Sequence, residues 1–343
     1  MDENLPPSTL SVIIVTLNRA DCLRKCLEAL ESQDPKPDQI IVVDGSSNDL
    51  SHAVALEFHR VEYFRNPRGY GHMTYSRNIG LKAARGEIVS FLDDDAFAHP
   101  GWSRELLKTY AISPKIAGVG GRALNNIPGE ESRGLNLLGK LLPDGRLTAN
   151  FAADTGEVRY VDHIIGCNMS FRRSILAEMG GLRDEYPGTE VREETDICLR
   201  VKALGGRLAY NPAAVVDHVG AGQTVGKRFD LRYEFYAKRN HVYLLLRNFG
   251  PLGGIFLRNL PSSLIEVFSE LFYKFGAAIA RCAYAIAGIV AGLAAGMAVF
   301  LRYGKSPVRR DREGREITGL LSKTNFQAPS DGLVKEGRAD AGL

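Results

Sequence analysis

Short apolar runs alternate with amphipathic segments over the first hundred residues, and this alternation restricts the possible fold more than any other feature. The apolar runs, rich in β-branched residues, lie at 10–17, 39–44, 61–65 and 87–93. Such runs are typical of parallel strands buried on both faces. Helical patterns separate them at 20–33, 49–59 and 73–84. The order predicts an α/β fold with a Rossmann-like, mostly parallel sheet and flanking helices, which binds ligands beyond the carboxyl ends of its strands.

Polar side chains follow three of these predicted strands. They are Thr16, Asn18 and Arg19 after the first strand, Asp44 and Ser46 after the second, and Asp93, Asp94 and Asp95 after the fourth. Adjacent carboxylates repel one another unless a cation or cationic side chains offset them. A nucleotide diphosphate with a divalent cation would explain all three groups, and hard oxygen ligands favour Mg²⁺ or Mn²⁺. Taken singly, each group has an alternative interpretation as a solvated turn or a helix cap.

Composition and missing motifs exclude other classes of protein. A net charge of +3 over 343 residues is too small to indicate nucleic-acid binding. The five cysteines are scattered without a CxxC pair, so they indicate neither a disulfide framework nor a zinc site. No GxxxxGK[ST] loop occurs, which excludes a P-loop NTPase, and the glycines at 118–121 do not complete a dinucleotide-binding fingerprint. The scattered cysteines fit a reducing cytosol, and the acidic N-terminus does not have the pattern of a signal peptide.

Five sequence blocks together resemble the family 2 glycosyltransferases, which have the GT-A fold. The blocks are VIIVTLNR (12–19), VVDGSSND (42–49), YSRNIGLKAARGEIVSFLDDDAF (75–97), GCNMSFRR (166–173) and REETDICLRVKALGGRLAYNPAAVVDH (192–218). They follow the family's order over roughly residues 10–220. The resemblance implies an inverting, metal-dependent transfer of a sugar from a nucleotide-sugar donor to an acceptor hydroxyl, without a covalent enzyme intermediate. The QxxRW signature of processive synthases is absent, so we expect one sugar to be added at a time.

Site residues follow from the strand ends and from this resemblance. Nucleotide-sugar binding is expected of Thr16, Asn18, Arg19, Asp44, Ser46, Arg77, Asp93, Asp94 and Asn168. The Mn²⁺ or Mg²⁺ ligands implied are Asp95, Asp93 and His218, with Asp95 in direct contact. Three of these residues have structural alternatives: Arg77 as a helix-surface arginine paired with an acidic neighbour, Asn168 as a strand-end turn residue, and His218 as a structural histidine.

The general base is expected at the start of a predicted helix over 192–204. In relatives an ED pair provides the base, and Glu194 stands in place of its aspartate here. Our order of preference is Glu194, Glu193 and Asp196, although acidic residues in a first helical turn also complement the helix dipole. Because a glutamate replaces the expected aspartate at 194, one alternative remains. The protein could be a catalytically silent nucleotide-sugar-binding protein or a membrane scaffold. A sugar-phosphate nucleotidyltransferase would need a glycine-rich basic loop after the first strand, which 16–22 lacks.

The C-terminal third predicts membrane association. Residues 282–300 contain no charge, and Gly288, Gly292 and Gly296 form a small-xxx-small stripe. A basic segment follows, which indicates a cytoplasmic tail, yet cytosolic nucleotide sugars require the catalytic domain on that side too. A single span cannot satisfy both, so 282–300 is expected to be re-entrant, interfacial or paired with the amphipathic stretch 251–273. The alternative is a buried Ala/Gly-rich helix.

These observations predict a division of the chain and a location for it. The predicted parts are a tail (1–9), a GT-A catalytic domain (10–232, with a nucleotide-sugar-binding half at 10–123 and an acceptor half at 124–232), a helical membrane-associated region (233–304) and a polar basic tail (305–343), disordered beyond residue 310. The Gly-, Pro- and Asn-rich connection 125–157 is expected to be partly mobile and to shape the acceptor site. A sugar or lipid-linked sugar acceptor at the cytoplasmic face of a bacterial-type inner membrane, in cell-envelope or surface polysaccharide synthesis, fits this arrangement. The sequence does not indicate an oligomeric state.

Overall fold

A computed structural model describes residues 9–70, 72–220, 230–273, 277–310 and 316–317. Most of the two predicted tails lies outside these ranges. Of the segment predicted to be disordered, the structure describes Glu316 and Ile317, and the Ile317 N–H donates to the Arg309 carbonyl at 2.8 Å. The described strands are β1 Leu10–Thr16, β2 Gln39–Asp44, β3 Val61–Arg65, β4 Ile88–Asp93, β5 Ala96–Ala98, β6 Ile116–Leu124, β7 Arg159–Val161, β8 Asn168–Arg172 and β9 Arg207–His218. The described α-helices are α1 Ala20–Glu31, α2 Leu50–Leu56, α3 Met73–Ala83, α4 Trp102–Ala111, α5 Arg173–Glu178, α6 Glu193–Ala203, α7 Leu231–Phe249, α8 Gly254–Tyr273 and α9 Ala277–Tyr303.

The strands form one mixed sheet with the order β3-β2-β1-β4-β8-β6-β9-β5, and β7 pairs with β9. The first four strands run parallel, as the sequence predicts, because a helix connects each of them to the next. The register places Thr16 beside Asp44 and Val15 beside Asp93, so the three predicted polar groups meet at one edge. Strand β8 then runs antiparallel to both β4 and β6. The predicted α/β fold is confirmed.

Apolar side chains on β1 alternate between the two faces of the sheet. Ile13 belongs to a core shared with α3 and α6, whereas Val12 and Ile14 belong to a core shared with α1 and α4. Helix α3 lies very close to the sheet, since a Cβ at Gly80 would be 2.5 Å from the Ile13 side chain. This close approach fixes the height of α3 above the strand ends.

The connection between β6 and β7 contains little regular structure, as predicted, but it is folded onto the sheet. Two short 3₁₀ helices cover Glu130–Ser132 and Leu135–Leu137. Phe151 is buried in the core, and the Tyr210 hydroxyl donates to the carbonyls of Phe151 (3.1 Å) and Ala153 (2.6 Å). These contacts hold the connection against β9, so its position beside the strand ends is defined.

Helices α7, α8 and α9 pack together around a small apolar core of their own. The glycine stripe of α9 faces α7: a Cβ at Gly288 would lie 2.4 Å from the Phe235 carbonyl oxygen, and one at Gly292 would lie 2.6 Å from that of Arg239. Because later residues of α9 face later residues of α7, the two helices run parallel. Among the described residues, Ile279–Tyr303 is the one helical segment long and apolar enough to cross a membrane, and 28% of its most apolar stretch is buried.

Replacing Gly292 with leucine should separate α7 from α9. The added side chain would meet backbone atoms of Arg239, which cannot move aside as a flexible side chain can. Overpacking of this kind costs about 1–3 kcal/mol, so the Gly292→Leu melting temperature should fall in detergent solution. Ala294→Leu, which adds the same side chain at an exposed position of α9, is the control and should melt with the wild type. Equal melting of both variants would contradict the packing.

Candidate active site

Asp94 is fully buried and is held by protein groups. The Thr16 hydroxyl donates to its Oδ2 at 2.7 Å, and Arg19 contacts Oδ1 through Nη2 at 2.7 Å and Oδ2 through Nε at 3.1 Å. Burial raises the pKa of Asp94 to about 7, although Arg19 and Thr16 act in the opposite direction. Asp94 therefore ties the first strand end to the fourth, and it uses two of the residues predicted to bind the nucleotide.

Asp93, Asp95 and His218 form the described group of side chains best suited to a metal ion. Strand β5 pairs with β9 and places Ala96 opposite His218, so that His218 Nε2 lies 3.7 Å from Asp95 Oδ1. One ligand atom from each of the three residues lies within 4.8 Å of the others. Two carboxylates and an imidazole at this spacing fit a divalent cation such as Mn²⁺ or Mg²⁺. The predicted ligand set is thus brought together.

Arg77 lies between the acidic cluster and the start of α6, with only 2% of its surface exposed. Its Nη2 donates to Asp93 Oδ1 at 3.0 Å and to the Gly166 carbonyl at 3.3 Å, and its Nη1 pairs with Glu193. The alternative of a helix-surface arginine paired with an acidic neighbour is therefore wrong about the surface position, since Arg77 is buried, although the pairing with acidic neighbours is found. Arg77 links the end of β4 to the helix that begins with the candidate base residues.

Glu190 holds the helix that presents Arg77, and sequence reasoning missed it. Its buried carboxylate accepts from the Met73 and Thr74 backbone N–H groups at 2.7 and 2.6 Å, and from the Thr74 hydroxyl at 2.7 Å. These groups are at the first turn of α3, which no local side chain caps. Glu190 and Arg192 both adopt positive φ, 53° and 84°, immediately before α6. A cap from over a hundred residues away leaves no local sequence signal.

Asp44 organises the loop after β2. Its Oδ1 accepts from the Ser46 N–H at 2.7 Å and its Oδ2 from the Tyr63 hydroxyl at 2.8 Å, while Arg65 lies 3.4 Å from Oδ2. The Ser46 hydroxyl in turn accepts from the Asn18 N–H at 2.7 Å. The first and second strand ends are therefore joined, as predicted. Tyr63 and Arg65 were not predicted, although both lie on a predicted strand beside Asp44.

Glu194 lies beside Arg77 at the first turn of α6. A Cβ at Gly166 would be 3.5 Å from the Glu194 Cβ and 3.7 Å from Arg77 Nη2, so Glu194 and Arg77 lie close to one another beside this glycine. Glu194 Oε2 accepts from the Arg192 N–H at 3.1 Å. Burial raises the pKa of the Glu194 carboxyl above its ordinary value, and Arg192 and Arg77 act against this shift. A raised pKa suits a carboxylate that receives a proton.

Asp196 and Asn168 lie within networks of their own. Asp196 Oδ1 accepts from Arg183 (2.8 Å), Tyr186 (2.9 Å) and Asn248 (3.0 Å), and its Oδ2 lies 3.6 Å from Arg200. Asn168 accepts from the Trp102 indole and donates to two backbone carbonyls. Both side chains are buried and their polar atoms are used by the protein. The geometry favours a structural role for each.

Asp196→Asn should lower stability, because it leaves Arg183 and Arg200 buried with no charged partner at that position. Removing one partner of a buried pair costs about 3–5 kcal/mol. Although burial opposes the shift, Arg183 and Arg200 hold the pKa of Asp196 below its ordinary value. The ionised carboxylate therefore stabilises the fold above its unfolded-state pKa, and this contribution is lost as pH falls through the folded-state pKa.

Urea unfolding at neutral and acidic pH measures this effect. The difference between wild type and Asp196→Asn should be largest near neutral pH and should shrink under acidic conditions. Asp34→Asn removes an exposed carboxylate paired with Arg104 and should change stability little. A stable Asp196→Asn variant would contradict the assigned role.

Comparison with known proteins gives a family match. Residues 11–180 match the model described as glycosyl transferase family 2. A glucosyl-dolichyl phosphate glucuronosyltransferase of Haloferax volcanii is 28% identical over 66% of this chain and 71% of its own length. An O-antigen chain rhamnosyltransferase of Salmonella typhimurium is 24% identical over 78% of this chain and 89% of its own length.

A similar solved structure extends the match to the fold. A mannosyltransferase from Pyrobaculum calidifontis, solved with GDP-Man and Mn²⁺, superposes with a TM-score of 0.53. It covers 89% of this chain and 90% of its own length at 19% sequence identity. The predicted GT-A fold is confirmed by this likeness.

Proposed function

This chain carries a glycosyl transferase family 2 domain, and we propose that it moves one sugar from a nucleotide-sugar donor to an acceptor hydroxyl with inversion. The observation that supports this most directly is the arrangement around Arg77. Its Nη2 pairs with Asp93 of the metal-binding group, its Nη1 pairs with Glu193, and Glu194 lies beside it. A cation-binding group and a candidate base held close to one fixed side chain suit a direct displacement at the sugar.

The donor would occupy the edge formed by the first, second and fourth strands. Asp93, Asp95 and His218 would hold Mn²⁺ or Mg²⁺, which when bound would neutralise the charge of the diphosphate. The Asp44 loop would contact the nucleoside, and its fixed hydrogen bonds preorganise it for that role. Arg19, which pairs with Asp94 and Asp95, keeps positive charge at this edge.

Glu194 is proposed as the general base for the acceptor hydroxyl. Glu193 is already paired with Arg77, and Asp196 is surrounded by cationic groups that hold its pKa low, so both are less suited to take up a proton. Among the described residues Glu194 makes no close ion pair of the kind that Glu193 and Asp196 make, and burial raises its pKa although Arg192 and Arg77 act in the opposite direction. This choice reproduces the order expected from the sequence and reassigns Asp196 to structural support.

The acceptor is proposed to reach Glu194 through the folded connection 125–157. Asn125 Oδ1 lies 3.4 Å from His218 Nδ1, and Asn125 lines a cavity of about 210 Å³ together with Glu130, Arg133 and Asn150. A lipid-linked sugar acceptor fits the adjoining apolar helices, and the Haloferax relative is named for a lipid-linked sugar, glucosyl-dolichyl phosphate. We place the protein at the cytoplasmic face of a membrane, in cell-envelope or surface polysaccharide synthesis.

Asp95→Asn should weaken metal-dependent donor binding. The substitution removes a charged ligand but keeps the shape of the side chain, so the fold should be retained. Affinity for a nucleoside diphosphate with Mn²⁺ should fall by at least about tenfold, since even outer-shell changes in metal sites have effects of that size. Isothermal titration with and without Mn²⁺ measures it, and Asp34→Asn is the exposed control. Unchanged metal-dependent affinity would exclude Asp95 as a ligand.

Glu194→Gln should reduce turnover by about 10²- to 10⁴-fold, the usual contribution of a general base. Donor affinity should remain, because Glu194 is not one of the residues proposed to hold the metal ion or the nucleoside. Release of nucleoside diphosphate from a panel of nucleotide sugars is the assay, with Glu28→Gln on the exposed face of α1 as control. If Glu194→Gln and Glu193→Gln both kept wild-type turnover, the base would lie elsewhere. Donor binding without turnover in the wild type would favour the silent binding protein.

A further inference from the structure

Helices α8 and α9 each expose a long apolar stripe. On α8 the exposed residues Leu257, Leu264, Ile265 and Phe268 recur at helical spacing along one face. On α9 the stripe runs from Ile279 through Ile286 and Val290 to Leu301, and exposed alanines at 283, 287, 294 and 298 complete it without a charged residue. Two neighbouring helices with continuous exposed apolar faces are not typical of a protein surface in water.

The C-terminal end of α9 is attached to the catalytic domain. Ala295 and Val299 of α9 pack on a cluster that includes Tyr186 and Leu199, which belong to that domain. Directly after α9, the backbone carbonyls of Gly304, Ser306 and Pro307 accept hydrogen bonds from Arg247, Arg183 and Arg200, respectively. All three guanidinium groups are nearly fully buried. The start of the basic segment is therefore part of the folded domain.

Helix α9 also follows α7 along most of its length, and α7 is bound to the catalytic domain. Asn240 of α7 donates to the carbonyls of Pro187 (3.2 Å) and Val191 (3.1 Å), and Asn248 contacts Asp196. The part of α9 before the docked residues, 279–294, is about 24 Å long at 1.5 Å per residue. A hydrocarbon core is about 30 Å thick. Helix α9 cannot cross it without breaking these contacts.

We propose that α8 and α9 lie in the plane of one membrane leaflet as a monotopic platform, with both ends of α9 on the side of the catalytic domain. In this arrangement the uncharged stripe of α9 and the apolar stripe of α8 both face the acyl chains. Arg258 of α8 and Arg302 at the end of α9 are placed to meet anionic headgroups. This placement rests on the proposed function only in assigning the membrane face to the cytoplasm, and it resolves the conflict between the basic segment and a cytosolic donor.

The depth of single tryptophans in vesicles tests the proposal. The chain has one tryptophan, Trp102, which is fully buried, so added tryptophans report on lipid. Three variants place a tryptophan along the α9 stripe: Ile279→Trp, Val290→Trp and Leu301→Trp. Each is mixed with vesicles of phosphatidylglycerol and phosphatidylcholine whose acyl chains carry bromine, a fluorescence quencher, either near the headgroup or near the chain end. The fluorescence of all three variants should be quenched most by bromine near the headgroup. The fluorescence of Ile112→Trp, an exposed position directly after α4, should not be quenched.

A spanning helix would give another result. Val290→Trp would then be quenched most by the deep label, while Ile279→Trp and Leu301→Trp would be shallow, and the proposal would fail. Absence of quenching at all three positions would also overturn it and would indicate that a second copy or another protein covers the stripe.

Accessibility of the segment after α9 gives an independent measurement. In a Cys22→Ser background, whose remaining cysteines are all buried, Lys305→Cys and Lys115→Cys are treated with a membrane-impermeant maleimide after vesicle binding. Equal labelling from outside the vesicles supports the platform, whereas protection of Lys305→Cys alone overturns it. Nucleoside diphosphate release is measured on the same samples. If no nucleoside diphosphate is released while the tryptophans are still quenched by the shallow label, the proposed reaction is refuted but the placement in the membrane is not.

Discussion

The buried guanidinium of Arg77 is the interaction on which the site depends. It pairs with Asp93 at the end of β4 and with Glu193 at the start of α6, two elements that are a hundred residues apart in the chain. Burying a cation is expensive unless anions and hydrogen-bond acceptors surround it. Here both carboxylates and the Gly166 carbonyl meet that need. Asp93 of the candidate metal-binding group and Glu193 at the start of α6 are therefore held at a fixed separation by one side chain.

A second buried network extends this constraint to the C-terminal helices. Asp196, on the same helix as Glu193, contacts Arg183, Arg200 and Asn248 of α7. Arg183 and Arg200 also donate to backbone carbonyls of the segment that follows α9. The first turn of α6, the helical region and the docked segment thus share one set of hydrogen bonds. If α8 and α9 lie in a leaflet, this network sets the distance between the membrane surface and Glu194.

Local pattern was sufficient to predict the sheet but not the network within it. The β-branched runs and helical spacing predicted β2 and β3 with their observed bounds and the parallel order of four strands, since these features depend on neighbours in sequence. The Asp93, Asp95 and His218 group was predicted from motifs. Glu190 and Tyr63 were missed because their partners are defined only by packing. The roles of Arg77 and Asp196 also depend on distant partners. From the sequence alone, each could be an ordinary helix residue.

The longer side chain at position 194 can be understood from the backbone around it. Arg192 adopts φ 84° and its N–H binds Glu194 Oε2, so the first turn of α6 begins from a strained residue that draws the carboxylate back toward its own helix. An aspartate at 194 would have one methylene less with which to reach that N–H. Opposite it, a Cβ at Gly166 would lie 3.5 Å from the Glu194 Cβ, which is an ordinary contact distance. The glutamate is thus consistent with its surroundings, because its extra methylene lets the carboxylate reach the Arg192 N–H.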